Sequence, residues 1–204
     1  VDVRSSTQKR VRAPSKLLSG ETPVIPPFGK GHENRFQRGR LIHALLQILP
    51  ELPKAQREER AVAYLSQCLR EDQGELFEDI LEATFKVLSA PELEGVFAQG
   101  GRSEVPIIGS GPNLPPGVII NGRVDRFHLT DSHVHIIDYK TDRPPPKTES
   151  DVDLPYLAQM AAYYDVLKST YPEHQIHCAL LWTDGPRFMR LSESAMLAAL
   201  TKAR

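Results

Sequence analysis

Two aspartates and a lysine lie in two apolar runs near the middle of the sequence, Asp125 in the first run and Asp138 and Lys140 in the second. A short polar turn, Thr130-Asp131-Ser132, joins the runs, which is the pattern of a β-hairpin. The hairpin places residue 125 opposite about residue 137, so the two carboxylates are expected to lie close together. Because side chains alternate along a strand, Asp138 and Lys140 share one face.

Two carboxylates and an ammonium at one strand end suit metal-dependent hydrolysis. Carboxylate oxygens bind Mg²⁺ or Mn²⁺, which keep several waters and accept a phosphate oxygen as a further ligand. A lysine beside a metal-bound water orients that water and favours its deprotonated form. The combination predicts cleavage of phosphodiester bonds. The plainer interpretation of a single Asp-x-Lys on a strand is a surface ion pair.

More polar side chains fall on predicted helices. His43 lies on the polar stripe of a helix, together with Arg40 and Gln47. Gln159 and Tyr163 are four residues apart on the helix that follows the hairpin, so they share one face. Taken singly, such a histidine is a surface residue, and such a Gln/Tyr pair is helix surface and core edge.

Together these residues form four ordered motifs that resemble the PD-(D/E)XK nuclease superfamily. Within it they are most similar to the RecB-type nuclease domains that end the AddA family of bacterial helicase–nuclease subunits. The motifs are Gly39-Arg40-Leu41-Ile42-His43, Gly122-Arg123-Val124-Asp125, Asp138-Tyr139-Lys140 and Gln159-Met160-Ala161-Ala162-Tyr163. The resemblance implies an α/β fold: a restriction-endonuclease-like central mixed sheet flanked by helices, with a helical N-terminal half.

The resemblance also implies the roles of the site residues. Asp125, Asp138 and His43 would bind the catalytic Mg²⁺, for which Mn²⁺ could substitute. Tyr139 would add its backbone carbonyl to the metal. Lys140 would position or activate the attacking water.

The same resemblance implies a set of residues that complete the site or hold the DNA strand, namely Arg40, Arg123, Gln159 and Tyr163. Glu104, on the preceding strand, is a weaker candidate: it would support the metal ligands without binding the metal itself. The implied function is a Mg²⁺-dependent exonuclease domain in double-strand-break repair and recombination. It would hydrolyse single DNA strands without sequence specificity, delivered by the helicase part of its own parent chain, with an AddB-type protein as the partner subunit.

The cysteine count and one missing motif limit the cofactors. AddB-type domains carry four cysteines for an iron–sulfur cluster, whereas this chain has two, Cys68 and Cys178, so no cluster is expected. The sequence contains no G-x-x-x-x-G-K-[ST], so no ATP site is expected. Two alternatives stay open: a catalytically silent nuclease-like module that docks DNA or a partner, and a free-standing nuclease of the same superfamily.

Composition and charge are those of one packed domain, with 204 residues, 40% hydrophobic and 25% charged. Without a signal peptide or an apolar run of roughly 20 residues, we expect a bacterial cytoplasmic, nucleoid-associated protein that makes no membrane contact. The chain begins Val1-Asp2-Val3, without Met, and residues 1–40 hold nine Lys or Arg against three Asp or Glu. We interpret residues 1–35 as a basic, Pro-rich leader from a longer parent chain, and 36–204 as the nuclease domain.

Hydrophobic periodicity and turn residues predict the elements that must position the site. The strands are expected to be mostly antiparallel, and Ser192 is expected to cap the last helix. Helices are predicted over 36–49, 54–71, 75–89 and 157–171 with a short one after Pro91, and strands over 104–108, 118–129, 133–140, 175–183 and 187–191.

Two other signals have plain interpretations. His133 and His135 alternate on one strand face, but two histidines do not make a zinc site, so an ordinary strand surface is favoured. Trp182 and Phe188 are interpreted as core residues rather than as platforms for base stacking.

Overall fold

Helices and strands of a mixed α/β domain fill the described part of the chain. The computed structural model describes residues 10–17, 30–93, 95–97, 100–141, 144–183 and 187–202. Its helices are α1 (Lys30–Ile48), α2 (Lys54–Cys68), α3 (Gly74–Ser89), α4 (Leu154–Thr170) and α5 (Glu193–Lys202). Its strands are β1 (Arg10–Arg12), β2 (Arg102–Gly109), β3 (Val118–Leu129), β4 (His133–Lys140), β5 (Gln175–Trp182) and β6 (Arg187–Leu191).

The strands form one mixed sheet with β3 near its centre. β2 runs antiparallel along one edge of β3, from Arg102↔Phe127 to Gly109↔Ile120. The other edge of β3 pairs with two strands, β1 at residues 118–120 and β4 at residues 126–129. No strand pairs with residues 121–125 on that edge within the described part of the chain. This opening in the sheet is where the site lies.

The strand pairings of the described residues are mostly antiparallel, as expected, with two parallel exceptions. β2–β3, β3–β4 and β5–β6 are antiparallel, as expected, but β1–β3 and β4–β5 are parallel. Parallel neighbours need a long crossover connection, and α4 supplies it between β4 and β5. This crossover carries Gln159 and Tyr163 back across the sheet to the end of β4.

Two hydrophobic cores cover the two faces of the sheet. One core packs α4 and α5 against the face that includes Val134, Ile136 and Trp182. The other packs α1, α2 and α3 against the face that includes Ile137 and Tyr139. Trp182 is 1% exposed and Phe188 packs against the second core, so both are core residues, as predicted.

Most element boundaries agree with the sequence analysis, and the differences have local causes. The hairpin strands match their predicted ranges, and Ser192 caps α5 by accepting a hydrogen bond from the Ala195 N–H at 3.3 Å. α4 begins at Leu154, earlier than predicted, because Pro155 is tolerated in a first helical turn. The predicted helix after Pro91 is a single 3-10 turn over Pro91–Leu93.

The predicted leader contributes to the folded structure where it is described. β1 pairs with β3, and α1 starts at Lys30, six residues before the predicted helix start. Residues 1–9 and 18–29 of that leader lie outside the described residues. None of the described helices is both long and apolar enough to cross a bilayer.

Candidate active site

The site opens where β3 and β4 separate. Their pairing ends at Arg126↔Ile137, so the register is one residue away from the predicted pairing of 125 with about 137. Beyond that pair the backbone of β4 hydrogen-bonds a side chain of β3: the Tyr139 backbone N–H donates to Asp125 Oδ2 at 2.6 Å. Asp125 therefore spans the gap between the two strands and lies beside Asp138, as the hairpin predicted.

A kink in both β2 and β3 sets the direction of the Asp125 side chain. Val124 and Phe127 both pack in the α4-side core although they are three residues apart, so the strict alternation of β3 breaks between them. Glu104, which lies between the partners of residues 124 and 126, has a φ of 56°, in the left-handed region. Such backbone is uncommon outside glycine and concentrates at functional sites.

Asp138, Lys140 and Gln159 form a closed triangle of polar contacts. Lys140 Nζ lies 2.7 Å from Asp138 Oδ2 and donates to Gln159 Oε1 at 3.2 Å. Gln159 Nε2 in turn donates to Asp138 Oδ1 at 3.1 Å. The Lys140 ammonium also lies 3.8 Å from the centre of the Tyr156 ring, at cation–π distance. These contacts hold a nearly buried lysine in one orientation.

His43 approaches the same point from α1. Its Nδ1 lies 3.8 Å from Asp125 Oδ1, and its ring meets the Tyr139 ring edge-on at 5.4 Å. The approach depends on Gly39, since a Cβ there would lie 2.9 Å from Thr141 Oγ1. Burial lowers the pKa of His43, although Asp138 and Glu104 oppose the shift. The ring is thus favoured in its neutral form, which is the form that binds metal ions.

The electrostatics of the site favour a bound cation. Burial, and next the charge of Asp138, raise the pKa of Asp125 to about 8. A divalent ion beside the half-buried Asp125 would offset the repulsion from Asp138 that raises the pKa of Asp125. The spacing of His43 and Asp125 fits two ligands of one ion, since metal–ligand distances are about 2.0–2.2 Å.

The described side chains only partly pre-form a metal site. Among the described residues, no three or more His, Cys, Asp or Glu side chains are arranged around one point. The reason is visible at Asp138, whose two oxygens face Lys140 and Gln159. The chemistry of the donors fits a metal, and closing the site requires Asp138 to share an oxygen with it.

Tyr163 lies at the opening of β3. Its hydroxyl accepts from the Arg123 N–H at 3.0 Å and donates to the Arg123 carbonyl at 2.9 Å. Tyr163 is 2% exposed. The hydroxyl thus hydrogen-bonds the N–H and the carbonyl of Arg123, on a stretch of β3 that does not pair with β4. The buried ring offers no surface to a DNA strand. We assign Tyr163 a positioning role.

Gly122 allows this contact, and its replacement gives a clear expectation. A Cβ at Gly122 would lie 2.5 Å from Tyr163 Oη and 2.7 Å from Pro14 Cδ. Gly122→Ala is therefore expected to lower the free energy of unfolding by about 1–3 kcal/mol through overpacking. Urea denaturation measures the change. Gly74→Ala is the matched control, because a Cβ there meets no atom within 4 Å, and an equal loss in both variants would contradict the contact.

The predicted DNA-binding arginines occupy exposed positions of different kinds. Arg123 is exposed at the opening of β3, and its Nη1 donates to Glu104 Oε2 at 3.3 Å. Glu104 also accepts from Gln47 Nε2 at 2.5 Å, so it links α1 to β2. Arg40 is exposed on α1, and its charge acts on Tyr64 of α2.

Sequence reasoning gave no role to Tyr156, which the structure places against Lys140. A signal was present in the sequence, since Tyr156, Gln159 and Tyr163 recur at i, i+3 and i+7 and so share one helix face. The cation–π contact itself depends on how α4 crosses the sheet, which helix periodicity does not specify.

A family comparison agrees with this geometry. Residues 22–193 match the model of the PD-(D/E)XK nuclease superfamily. The chain belongs to that superfamily. The match covers all four elements that carry the site, α1, β3, β4 and α4, and the mixed sheet flanked by helices is the restriction-endonuclease-like fold that the motifs implied.

Among curated proteins, this PD-(D/E)XK chain is similar to an ATP-dependent helicase/nuclease subunit of Streptococcus pyogenes serotype M12 (strain MGAS2096). The two are 23% identical over 186 residues, which cover 79% of this chain and 15% of that protein. The same-named protein of Streptococcus suis (strain 98HAH33) is 34% identical over 71 residues, 34% of this chain and 6% of that protein. The chain thus spans about 15% or less of the length of these relatives.

A comparison with solved structures aligns the chain with the crystal structure of SSO0001. The alignment covers 86% of this chain and 87% of that one, at 15% identity and a TM-score of 0.34. A likeness of this size does not bear on function.

Proposed function

We propose that this nuclease-superfamily domain is an active, metal-dependent deoxyribonuclease. The observation that carries the proposal is the convergence of His43, Asp125, Asp138 and Lys140 at the opening between β3 and β4. A docking module without catalysis would not need a buried lysine held against a carboxylate. Both are nearly buried here, Asp138 at 5% and Lys140 at 9% exposure.

Four groups would hold the metal: the side chains of His43, Asp125 and Asp138, and the backbone carbonyl of Tyr139. Mg²⁺, or Mn²⁺ in its place, supplies Lewis acidity toward the phosphate and lowers the pKa of a bound water. The Tyr139 N–H fixes Asp125 by its bond to Oδ2, which leaves Oδ1 toward His43. The edge-on contact with Tyr139 keeps the His43 ring from turning away.

Lys140 would orient the attacking water and stabilise its deprotonated form. Its ammonium has three donors, of which one faces Asp138 and one faces Gln159. A water or a phosphate oxygen would contact the ammonium beside these two acceptors and the Tyr156 ring. Gln159 acts on both partners, because its amide accepts from Lys140 and donates to Asp138. It would therefore set the distance between the lysine and the metal ligands.

Tyr156 is expected to position Lys140 through the face of its ring. Tyr156→Leu removes the aromatic face 3.8 Å from the Lys140 ammonium and is expected to lower kcat about tenfold, with a small change in KM. Tyr156→Phe keeps the face and should retain most of the activity. Steady-state kinetics on a short single-stranded oligonucleotide separates the two, and equal losses in both variants would contradict the role of the ring.

The biological setting that we propose follows the relatives that carry this domain. We propose that it degrades single DNA strands as an exonuclease, fed by a helicase part of a longer parent chain in double-strand-break repair and recombination. The similarity to helicase/nuclease subunits, of which the chain spans 15%, supports this proposal. An AddB-type subunit would be the partner, and the bacterial cytoplasm, at the nucleoid, the location.

Cleavage of end-labelled DNA tests the proposed substrate and mode. The chain is incubated with single-stranded, double-stranded and circular single-stranded DNA in Mg²⁺, Mn²⁺ or EDTA. We expect nucleotides to be released from linear single strands in either metal and none in EDTA, with circular DNA resistant. Cleavage of circular DNA at the same rate would contradict the exonuclease mode, and cleavage in EDTA would contradict the metal.

A further inference from the structure

Four of the seven histidines in the chain lie together on one face of the sheet, at the end of β4 away from Lys140. His128 pairs with His135 across β3 and β4, and His135 pairs with His177 across β4 and β5. His133 lies two residues before His135 on the same face of β4. We call His128, His133, His135 and His177 the histidine face.

The rings of the histidine face are close and nearly parallel. Ring centroids are 4.8 Å apart for His135 and His177, and 5.3 Å apart for His133 and His177. The distances from His135 to His133 and His128 are 5.9 Å and 6.3 Å. The interplanar angles are between 16° and 30°. Strand register fixes these positions, so the spacing is a property of the backbone and not of flexible loops.

Two rings of the histidine face, those of His135 and His177, are favoured in the neutral form. Burial, and then the charges of its neighbours, lower the pKa of His135 to about 4, and burial also lowers the pKa of His177. Ser132 Oγ lies 2.7 Å from His133 Nδ1, a hydrogen bond that orients this ring and leaves its Nε2 available. Arg190, exposed on β6, is the cation that acts on His135 and His177.

We propose that the histidine face binds a divalent transition metal ion of the Zn²⁺ and Cu²⁺ class, with His135 as the central ligand. Imidazole nitrogens prefer these ions to Mg²⁺, which takes oxygen ligands. Two imidazoles that bind one ion at about 2.0–2.1 Å place their ring centroids roughly 5 Å apart. The rings of His135 and His177, now 4.8 Å apart and stacked, are close enough to reach one ion after they turn.

Binding of a metal ion requires the histidine rings to turn, because the stacked rings do not aim their nitrogens at one point. No group of three or more potential ligands converges in the described part of the chain. The four side chains are half-buried, so rotation about χ1 and χ2 redirects the nitrogens without moving a strand.

The histidine face is separate from the proposed nuclease centre. His135 and Lys140 are five residues apart on one strand, which corresponds to roughly 16 Å. Their side chains also point to opposite faces of the sheet, because their sequence separation is odd. Metal binding at the histidine face therefore does not depend on the catalytic proposal.

Isothermal titration of the chain with Zn²⁺, in excess Mg²⁺, tests the proposal. His135→Asn and His177→Asn are each expected to weaken Zn²⁺ binding about tenfold or more. His174→Asn, outside the histidine face, should leave it unchanged. The titrations are repeated in a His43→Asn background, which removes a ligand of the nuclease centre, so that the Zn²⁺ still bound reports the histidine face. Arg190→Ala should strengthen it, because a positive charge is removed from beside the ligands.

Two results would overturn the proposal: no saturable Zn²⁺ binding, or binding that is lost in His43→Asn and kept in His135→Asn. Circular dichroism checks that each variant is folded. If His135→Asn does not fold, Arg190→Ala decides the question, and unchanged affinity in that variant would contradict the site. Electron paramagnetic resonance with Cu²⁺ gives an independent readout, since bound imidazoles produce nitrogen hyperfine splitting that His135→Asn or His177→Asn should reduce.

Discussion

Asp125→Asn is expected to abolish metal-dependent DNA cleavage, with a loss on the order of 10³-fold or more in kcat/KM. The amide keeps an oxygen that can accept the Tyr139 N–H, so the local backbone is retained. It removes the negative charge that would bind the metal beside His43. The loss should therefore appear as weakened Mg²⁺ binding as well as reduced cleavage, which a Mg²⁺ titration of the residual activity measures.

The same substitution is expected to stabilise the metal-free fold. Burial raises the pKa of Asp125 to about 8, well above its value in an unfolded chain. Such a group contributes its stability at pH below its unfolded pKa of about 3.9, and that contribution is lost as pH rises through the folded pKa. Asparagine does not ionise. In EDTA, Asp125→Asn should therefore exceed the parent in free energy of unfolding by an amount on the order of 5 kcal/mol at about pH 8, and the difference should vanish near pH 4.

Urea denaturation in EDTA at several pH values measures this difference. Asp72→Asn is the matched control, because Asp72 is exposed on the surface, where it forms an ion pair with Arg70. The control should show neither the pH-dependent gain in stability nor the loss of cleavage. A variant Asp125→Asn that is inactive and less stable at about pH 8 would indicate that the substitution disrupts the fold instead.

Lys140→Ala is expected to reduce cleavage by about 10²–10⁴-fold. Unlike Asp125→Asn, it is expected to destabilise the metal-free fold. Lys140 and Asp138 are a nearly buried pair 2.7 Å apart, so removing the ammonium leaves a buried carboxylate next to Asp125. In EDTA the free energy of unfolding should fall by about 3 kcal/mol. Mg²⁺ should restore part of this loss, because the freed Asp138 can bind the metal.

Thermal unfolding with and without Mg²⁺ follows the stability change, and Lys86→Ala provides the control. Lys86 forms an exposed i,i+4 ion pair with Glu82 on α3, which is worth little. The control should alter neither cleavage nor the Mg²⁺ dependence of unfolding. If Lys140→Ala retained activity within a factor of about two, Lys140 would have no role in activating the water.

The hairpin and the helices that position the site could be predicted from the sequence because their signals are local. Alternating apolar residues set both hairpin strands, and the spacing of Gln159 and Tyr163 placed them on one face of α4. The proximity of Asp125 and Asp138 followed from the turn alone, with an error of one residue in register. That error arises at the turn, because the Thr130 N–H donates to the His133 carbonyl and the loop between them is Asp131-Ser132, not a turn centred on residue 131.

The features that sequence reasoning missed depend on contacts between distant segments. The sequence did not indicate that the Tyr163 hydroxyl hydrogen-bonds the Arg123 backbone at the opening of β3. The parallel pairing of β4 with β5 brings His177 beside His135, so a histidine pair in one strand becomes part of a face of four. Neither contact is encoded in the spacing of one segment, since each requires the crossover through α4.

Nucleotide release from end-labelled single-stranded DNA in Mg²⁺ tests most directly whether Asp125 and Lys140 form one catalytic centre. The unaltered chain, Asp125→Asn, Lys140→Ala and the controls Asp72→Asn and Lys86→Ala are compared at equal concentration. We predict release by the unaltered chain and by both controls, and none above background by Asp125→Asn or Lys140→Ala. Release by either active-site variant at the rate of the controls would contradict a shared catalytic centre. Binding of DNA by the unaltered chain without any cleavage would contradict it as well.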